Sequence, residues 1–437
     1  MKKRLLEILF WGVISAAFIG PGTITTAAAA GAEFGYAIVW ALVFSTIACI
    51  ILQESSARLT VASGINLGEA LKKYLSDSML GKTTLWLILA AIILGCAAYE
   101  AGNILGAVAG IELLLNIPSY WVTSLIGIIV FLLFWVNSVD VVAKIMGVIV
   151  AFMGACFFAT AVIMQPDWGS LLQNMALPSF PEGSSMLVLA LIGTTVVPYN
   201  LFLGSGIAAG KNLKEMRISL TIAIGLGGLI SIAVLVVGTA IMGEFSFEGL
   251  AAALSVQLGG WASVLLGLGL FAAGLTSSIT APMAAAITAR SILAEKDKKS
   301  KGKWKEKGRF FRMVWIVVLL VGLAFGLSQV RPVPAIILAQ ALNGIILPLV
   351  AIGLLILVNN LELMTQRSVN TILFNVVMSI VVFITIIIGV RNIAGAFTNF
   401  LPIELVKESY ILGTSLIVTL LISWPVYRTI RRLREQN

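Results

Sequence analysis

Residues 17–31 read Ala-Phe-Ile-Gly-Pro-Gly-Thr-Ile-Thr-Thr and then a run of small side chains, in the middle of the first long apolar segment. A helix crossing a bilayer should run unbroken there. Pro21 removes a helix hydrogen bond, and Gly20 and Gly22 leave the backbone beside it uncovered. Freed amides and carbonyls are tolerated inside a membrane only where they face protein, water or a ligand. Thr23, Thr25 and Thr26 add three hydroxyls at the same depth. A second break recurs at Gly193-Thr194-Thr195-Val196-Val197-Pro198-Tyr199-Asn200. Two interrupted segments in corresponding places mark a binding site between repeated halves of a chain. The candidate binding residues are therefore Gly20, Pro21, Gly22, Thr23, Thr25, Thr26, Thr194, Thr195, Val197, Tyr199 and Asn200.

The membrane setting follows from composition. Of 437 residues, 59% are hydrophobic and 11% charged, with a mean hydropathy of +1.04. Soluble domains run about 45–50% apolar and about 25% charged, so the chain is an all-α integral membrane protein. Barrel strands would be far shorter than these apolar segments. The first segment starts with charges but is too long for a removable signal peptide and feeds directly into further spans. The net charge of +9 lies in loops, which orients a membrane protein and argues against a nucleic-acid partner. Cys49, Cys96 and Cys156 fall inside apolar segments and read as packing residues. Histidine is absent, which excludes imidazole ligands and histidine relays. No catalytic triad, phosphate loop or metal motif is present, so an enzyme is not expected.

About twelve spans are expected, near residues 8–31, 35–55, 84–113, 119–137, 141–164, 186–208, 218–242, 260–290, 313–329, 333–358, 369–389 and 409–427. Lys2, Lys3 and Arg4, the Arg58–Lys82 loop, the Lys296–Arg312 run and the Arg428–Arg434 tail place both termini in the cytoplasm of a cell (inner or plasma) membrane. Arg331, Arg391 and Lys407 are exceptions to that bias. Residues 165–185 and the stretch with Glu244 and Glu248 read as external loops. The two breaks are five segments apart, so one segment enters from each side. That is the geometry of a five-plus-five inverted repeat. Residues 1–165 and 186–358 would be the two halves, 369–427 an appended pair and 428–437 a basic cytoplasmic tail.

The residues resemble the NRAMP (natural resistance-associated macrophage protein) divalent-metal transporters. Gly31-Ala-Glu-Phe-Gly-Tyr-Ala-Ile-Val-Trp40, Leu52-Gln53 and Ala57-Arg58-Leu59 look like that family's first two helices. Pro198-Tyr-Asn-Leu-Phe-Leu-Gly-Ser205 looks like its sixth, Gly274-Leu-Thr-Ser-Ser-Ile-Thr280 its eighth, and Gln340 with Leu347-Pro348 its tenth. The resemblance implies a LeuT-type fold with helices 1 and 6 broken. The departures fall on the chemistry. The family's helix-1 Asp and Asn are Gly20 and Thr23 here, its helix-6 Met is Val197, and its histidines are Tyr199 and Gly204. A helix-10 glutamine position is Ile346, and a helix-3 acidic pair is Glu100 and Asn103.

Without carboxylates or soft ligands at the breaks, a dication would sit uncompensated at the midplane, at a cost of several kcal/mol. Two helix starts facing the same pocket favour an anion by up to ~2 kcal/mol each. The expected function is uptake of a small inorganic anion, bicarbonate being the best single guess, driven by sodium as coupling ion with no other cofactor. Gly274, Ser277 and Ser278 share one face of segment 8. The resemblance to sodium-coupled LeuT-type carriers places sodium there, with carbonyls near Ala17 and Gly20 completing its shell. Serine pairs are also ordinary helix-packing residues. Glu100, in mid-span, is read as a proton or cation coupling residue. Glu54 and Lys144 read as snorkelling side chains near cytoplasmic helix ends. Asn103, Gln340 and Asn343 either line the path or bond between helices. The alternatives are a divalent-cation (Mg2+/Mn2+/Fe2+) transporter using Glu100, or a non-transporting membrane sensor. The partners expected are a small inorganic ion and the lipid bilayer, with no obligatory protein partner.

Overall fold

The computed structural model describes residues 19–136, 139–295, 302–328, 330–366, 368–400 and 408–435. Ala17, Lys2–Arg4, Lys407 and the start of the basic run at Lys296 lie outside the described residues. The described residues are helical throughout, without strands.

The first break is where a helix begins. α1 (Pro21–Phe34) starts at Pro21, whose missing amide costs nothing at a helix start. Gly20 is its N-cap, and the Gly20 carbonyl accepts from the amides of Thr23 and Ile24 at 3.1 and 3.2 Å. α2 (Trp40–Ser63), α3 (Leu67–Leu75), α4 (Met79–Glu112), α5 (Ser119–Val136) and α6 (Val139–Ile163) follow. After α7 (Trp168–Ala176), the second break separates α8 (Ser185–Thr195) from α9 (Pro198–Ile207), again with proline as first helical residue. α10 (Leu213–Gly238), α11 (Phe247–Leu258), α12 (Trp261–Leu293), α13 (Arg309–Leu327) and α14 (Pro332–Leu357) complete the second half. α15 (Ile372–Phe400) and α16 (Glu408–Glu435) are appended.

Among the described residues, 9 helices are long and apolar enough to cross a membrane, α8 and α9 counting together as one. The apolar helix Ser119–Trp135 is shorter. The breaks occupy the centre of the bundle. α1 packs on α4, α8, α10 and α14, while α12 lies along the length of α4. Small residues make these crossings close. A Cβ on Gly274 would come within 2.6 Å of both the Ala107 Cβ and the Asn103 carbonyl oxygen of α4. Gly110 and Gly267 repeat the close approach further along the same pair.

Several boundaries differ from those expected. Residues 165–185 are not a plain loop: Asp167 caps α7 by accepting from the Gly169 and Ser170 amides. The stretch with Glu248 is likewise helical, with Ser246 capping α11. Arg58 is not in a loop but buried on the last turns of α2. The basic tail is no separate segment, because α16 runs unbroken to Glu435. Arg391, an exception to the charge bias, is buried over the Phe180 ring at 5.1 Å. The side chain of Lys144 lies outside the described residues.

Candidate ion site at the helix breaks

The two breaks meet through hydroxyls. Thr23, in the first turn of α1, and Thr194, at the end of α8, share a hydrogen bond of 2.8 Å between their side-chain oxygens. Neither α1 nor α9 has a side-chain cap, so the first-turn amides have no side-chain acceptor. Pro21 packs against Gly106 of α4, and any Cβ at Gly106 would overlap its ring. Val197 is buried between the half-helices. Tyr199 points across to α4, its ring edge-on to Tyr99 at 5.4 Å. Tyr99 in turn donates to the carbonyls of Gly193 and Thr194, at 3.2 and 3.1 Å, at the end of α8. The Asn200 carbonyl accepts from Gln53 Nε2 of α2 at 3.0 Å.

Two candidate hydroxyls turn away from any shared site. Thr26 Oγ1 donates to the Gly22 carbonyl at 2.8 Å, and Thr195 Oγ1 donates to the Leu191 carbonyl at 3.0 Å. Both repeat the ordinary bond of a threonine to its own helix, which occupies their hydroxyl protons. Thr25 is buried with its hydroxyl unpartnered.

A second group of polar side chains lies on the α4–α12 side of the Gly20 turn. A Cβ built on Gly20 would stand 3.2 Å from Ser277 Oγ and 3.8 Å from Asn103 Oδ1. Glu100, one turn from Asn103, has its carboxyl beside Ser278 and Asn103. Both Glu100 oxygens, Asn103 Nδ2, Ser277 Oγ and Ser278 Oγ are buried without a hydrogen-bond partner. Gln340 of α14 lies against Gly22, where a Cβ would overlap its amide, and neither of its polar atoms is partnered. Unpartnered buried polar groups are uncommon and each costs about 1–3 kcal/mol, so five residues of them in one place need a cause. Gly274, expected with the serines, is at the tight α4–α12 crossing. Asn343 donates to the Gly95 and Ala339 carbonyls and is an interhelical tie instead.

Three participants were not singled out as site residues. Gln340 and Asn103 stand at positions that resemble the family's tenth and third helices, and their sequence reading left open whether they line the path or bond between helices. Tyr99 is adjacent to Glu100, and its phenol needs a partner at that depth.

Residues 12–395 match the family described as Nramp, natural resistance-associated macrophage protein-like. The chain belongs to the NRAMP family. It is 25% identical over 385 residues to a divalent metal cation transporter MntH of Caldanaerobacter subterraneus, covering 84% of this chain and 87% of that one. It is also 25% identical over 386 residues to a protein of the same name from Yersinia pestis, covering 84% and 90%. The fold is that of a manganese transporter of Eremococcus coleocola, with a TM-score of 0.72 at 18% identity over 99% of this chain and 96% of that one. Mhp1, a nucleobase-cation-symport-1 family transporter, superposes with a TM-score of 0.56 at 16% identity, covering 98% and 92%. The NRAMP chain described here is thus a multi-pass membrane transporter with the LeuT-like architecture expected from its two breaks. Among its described residues, no three histidine, cysteine or acidic side chains gather where they could hold a metal ion.

Proposed function

We propose that this NRAMP-family transporter takes up a small inorganic anion, with bicarbonate the first candidate, coupled to sodium by alternating access. One observation carries the reading: the uncapped start of α1 meets the end of α8 through Thr23 and Thr194, beside the second uncapped start at Pro198, with no carboxylate in the Thr23–Thr194 pair. Helix starts attract negative charge, and neither start has a side-chain cap to occupy its amides. In this reading Thr23, Thr25, Tyr199 and Asn200 orient the anion, beside Gly20, Pro21, Gly22, Thr194 and Val197. Sodium binds on the other side of the Gly20 turn, at Ser277 and Ser278 with Glu100 and Asn103. The sites are separate, so each charge compensates the other without sharing ligands. The sodium shell expected from the resemblance also includes carbonyls at Gly20, Gly274 and Ala17, the last outside the described residues. Residues 1–165 and 186–358 form the two repeats in this scheme, with both termini cytoplasmic.

The second reading is divalent-metal transport. The relatives named above favour it, and none of their names mentions sodium or bicarbonate. Glu100, with two unpartnered oxygens, would be its one charged ligand.

Proteoliposomes separate the readings. A sodium gradient should drive bicarbonate accumulation, seen as internal alkalinisation, and Ser277→Ala should abolish the sodium dependence. Manganese entry into dye-loaded vesicles that is lost in Glu100→Gln would overturn the anion reading and establish the second. Absence of both fluxes would point to a sensor.

A further inference from the structure

A cavity of about 680 Å³ opens far from the breaks, between α15, α16 and the end of α14. Its size falls among small-molecule sites, roughly 300–1,000 Å³. Val382 and Ile386 of α15 form a buried floor, and Val426 of α16 forms one wall. Tyr427, Arg431 and Arg434 stand at its mouth. The lining is mostly apolar along the spans, with Asn375, Ser379 and Ser423 among it, and its charged groups, Arg431, Arg434 and Glu435, lie only at the end where α16 leaves its apolar stretch. A soluble ion has no reason to enter a greasy groove between two outer helices. An amphiphile with a negative head fits both parts.

The arginines are arranged for such a head. Arg434 is anchored: its Nε donates to Asn359 Oδ1 at 2.8 Å and its Nη2 to the Asn370 carbonyl. That bond fixes the mouth by tying α16 to the α14–α15 connection. Arg431 is free to exchange its partner. Its contact with Glu435 is 2.6 Å long but both side chains are more than half exposed, so the pair holds them weakly. Arg428 lies over the Trp424 ring at 5.0 Å on the same helix end. Four arginines, counting Arg432, face one glutamate over the last turns of α16. A zwitterionic head would gain nothing from that excess.

We infer that the α15–α16 cavity is a binding site for an anionic glycerophospholipid, with one acyl chain along Val382, Ile386 and Val426 and its phosphate at Arg431. Basic pockets between spanning helices recognise anionic heads in this way. The site lies outside the repeats that carry the breaks, and its occupancy does not depend on which ion the transporter moves.

Native mass spectrometry of the full chain in detergent, titrated with dioleoyl phosphatidylglycerol or dioleoyl phosphatidylcholine, tests this. Phosphatidylglycerol adducts should exceed phosphatidylcholine adducts by about fivefold for each arginine engaged. Arg428→Gln with Arg431→Gln should bring the two lipids level, and Arg431→Lys alone should keep most of the preference. Val426→Trp, which fills the groove from its apolar side, should exclude phosphatidylglycerol with every arginine in place. Equal binding of the two lipids to the unaltered chain overturns the inference. So does phosphatidylglycerol binding undiminished by Val426→Trp, or its displacement by soluble glycerol 3-phosphate at matching concentration.

Discussion

Two regions of this membrane protein bury polar side chains, and they do so in opposite ways. At one end of α2, Glu54 accepts from Arg58 Nε at 3.0 Å and from Arg217 Nε at 2.7 Å. Arg58 also donates to the Ser368 carbonyl and to Asn370 Oδ1, and its guanidinium lies 5.3 Å from the Phe374 ring. Asn359 and Asn370 each donate to Asn375 Oδ1, and Arg434 closes the group by donating to Asn359. At the breaks, Glu100, Asn103, Ser277, Ser278 and Gln340 are as deeply buried, but the Glu100 oxygens, Asn103 Nδ2, both serine hydroxyls and the Gln340 amide are not held in hydrogen bonds of ordinary geometry. The first region is a finished network that ties α2, α10, α15 and α16 together. The second is a set of donors and acceptors whose hydrogen bonds are not made within the protein. Polar burial alone therefore says little about function; what separates site from scaffold is whether the hydrogen bonds are already made.

The comparison breaks first at Glu54. Glu54→Ala would leave the buried Arg58 without its carboxylate, and removing one member of a buried pair costs about 3–5 kcal/mol. The melting temperature in detergent should fall sharply. Adding Arg58→Leu should recover part of that loss, because the stranded charge is gone. Glu100→Gln should behave in reverse. Its melting temperature should hold or rise, since an unpartnered buried carboxylate is removed. Cation-dependent uptake should fall at least tenfold, the roughly 1.5–3 kcal/mol of a lost charged ligand. If Glu100→Gln melts like Glu54→Ala, the break cluster is scaffold and the distinction fails.

Gly22 offers a smaller test of how closely the cluster is shaped. A Cβ there would overlap the Gln340 amide, and crowding of this kind costs about 1–3 kcal/mol. Gly22→Ala should slow uptake and lower the melting temperature together. Gly22→Ala with Gln340→Ala should restore stability without restoring uptake, as Gln340 is then missing from the site.

What could be read from the sequence was whatever violates a rule of membrane helices on its own. Gly20-Pro21-Gly22 and Val197-Pro198 break a span wherever they occur, and a carboxylate at Glu100 is costly in any span. Those signals are local, so the fold and the position of its two breaks were visible. Glu54 was misread as a snorkelling side chain because its partner Arg217 is 163 residues away in the chain. Arg58 was misplaced by taking the helix end a few residues early, and so became a loop charge. Gln340 against Gly22, and Thr23 against Thr194, are products of packing that no spacing reveals. Thr26 and Thr195 show the converse case. Hydroxyls near a break look like ligands until the bond to their own helix is seen. The caps Asp167 and Ser246 were legible signals for α7 and α11, overridden by the polar stretches around them.

Thr23 lies between the two classes, and the smallest effect is expected there. Its hydroxyl belongs to the break but is already paired with Thr194 at 2.8 Å. As scaffold, the pair is a neutral hydrogen bond worth about 1 kcal/mol. Thr23→Ala and Thr194→Ala should then each lower stability by that amount, and the double variant by little more, since the second change removes a group already stranded. As part of an anion site, Thr23 would be released from Thr194 when the ligand arrives. Uptake in Thr23→Ala should therefore fall further than in Thr194→Ala, although their melting temperatures match. Equal losses of uptake would place the pair with the Glu54 network, as a tie between half-helices, and leave the anion to the helix starts and Tyr199.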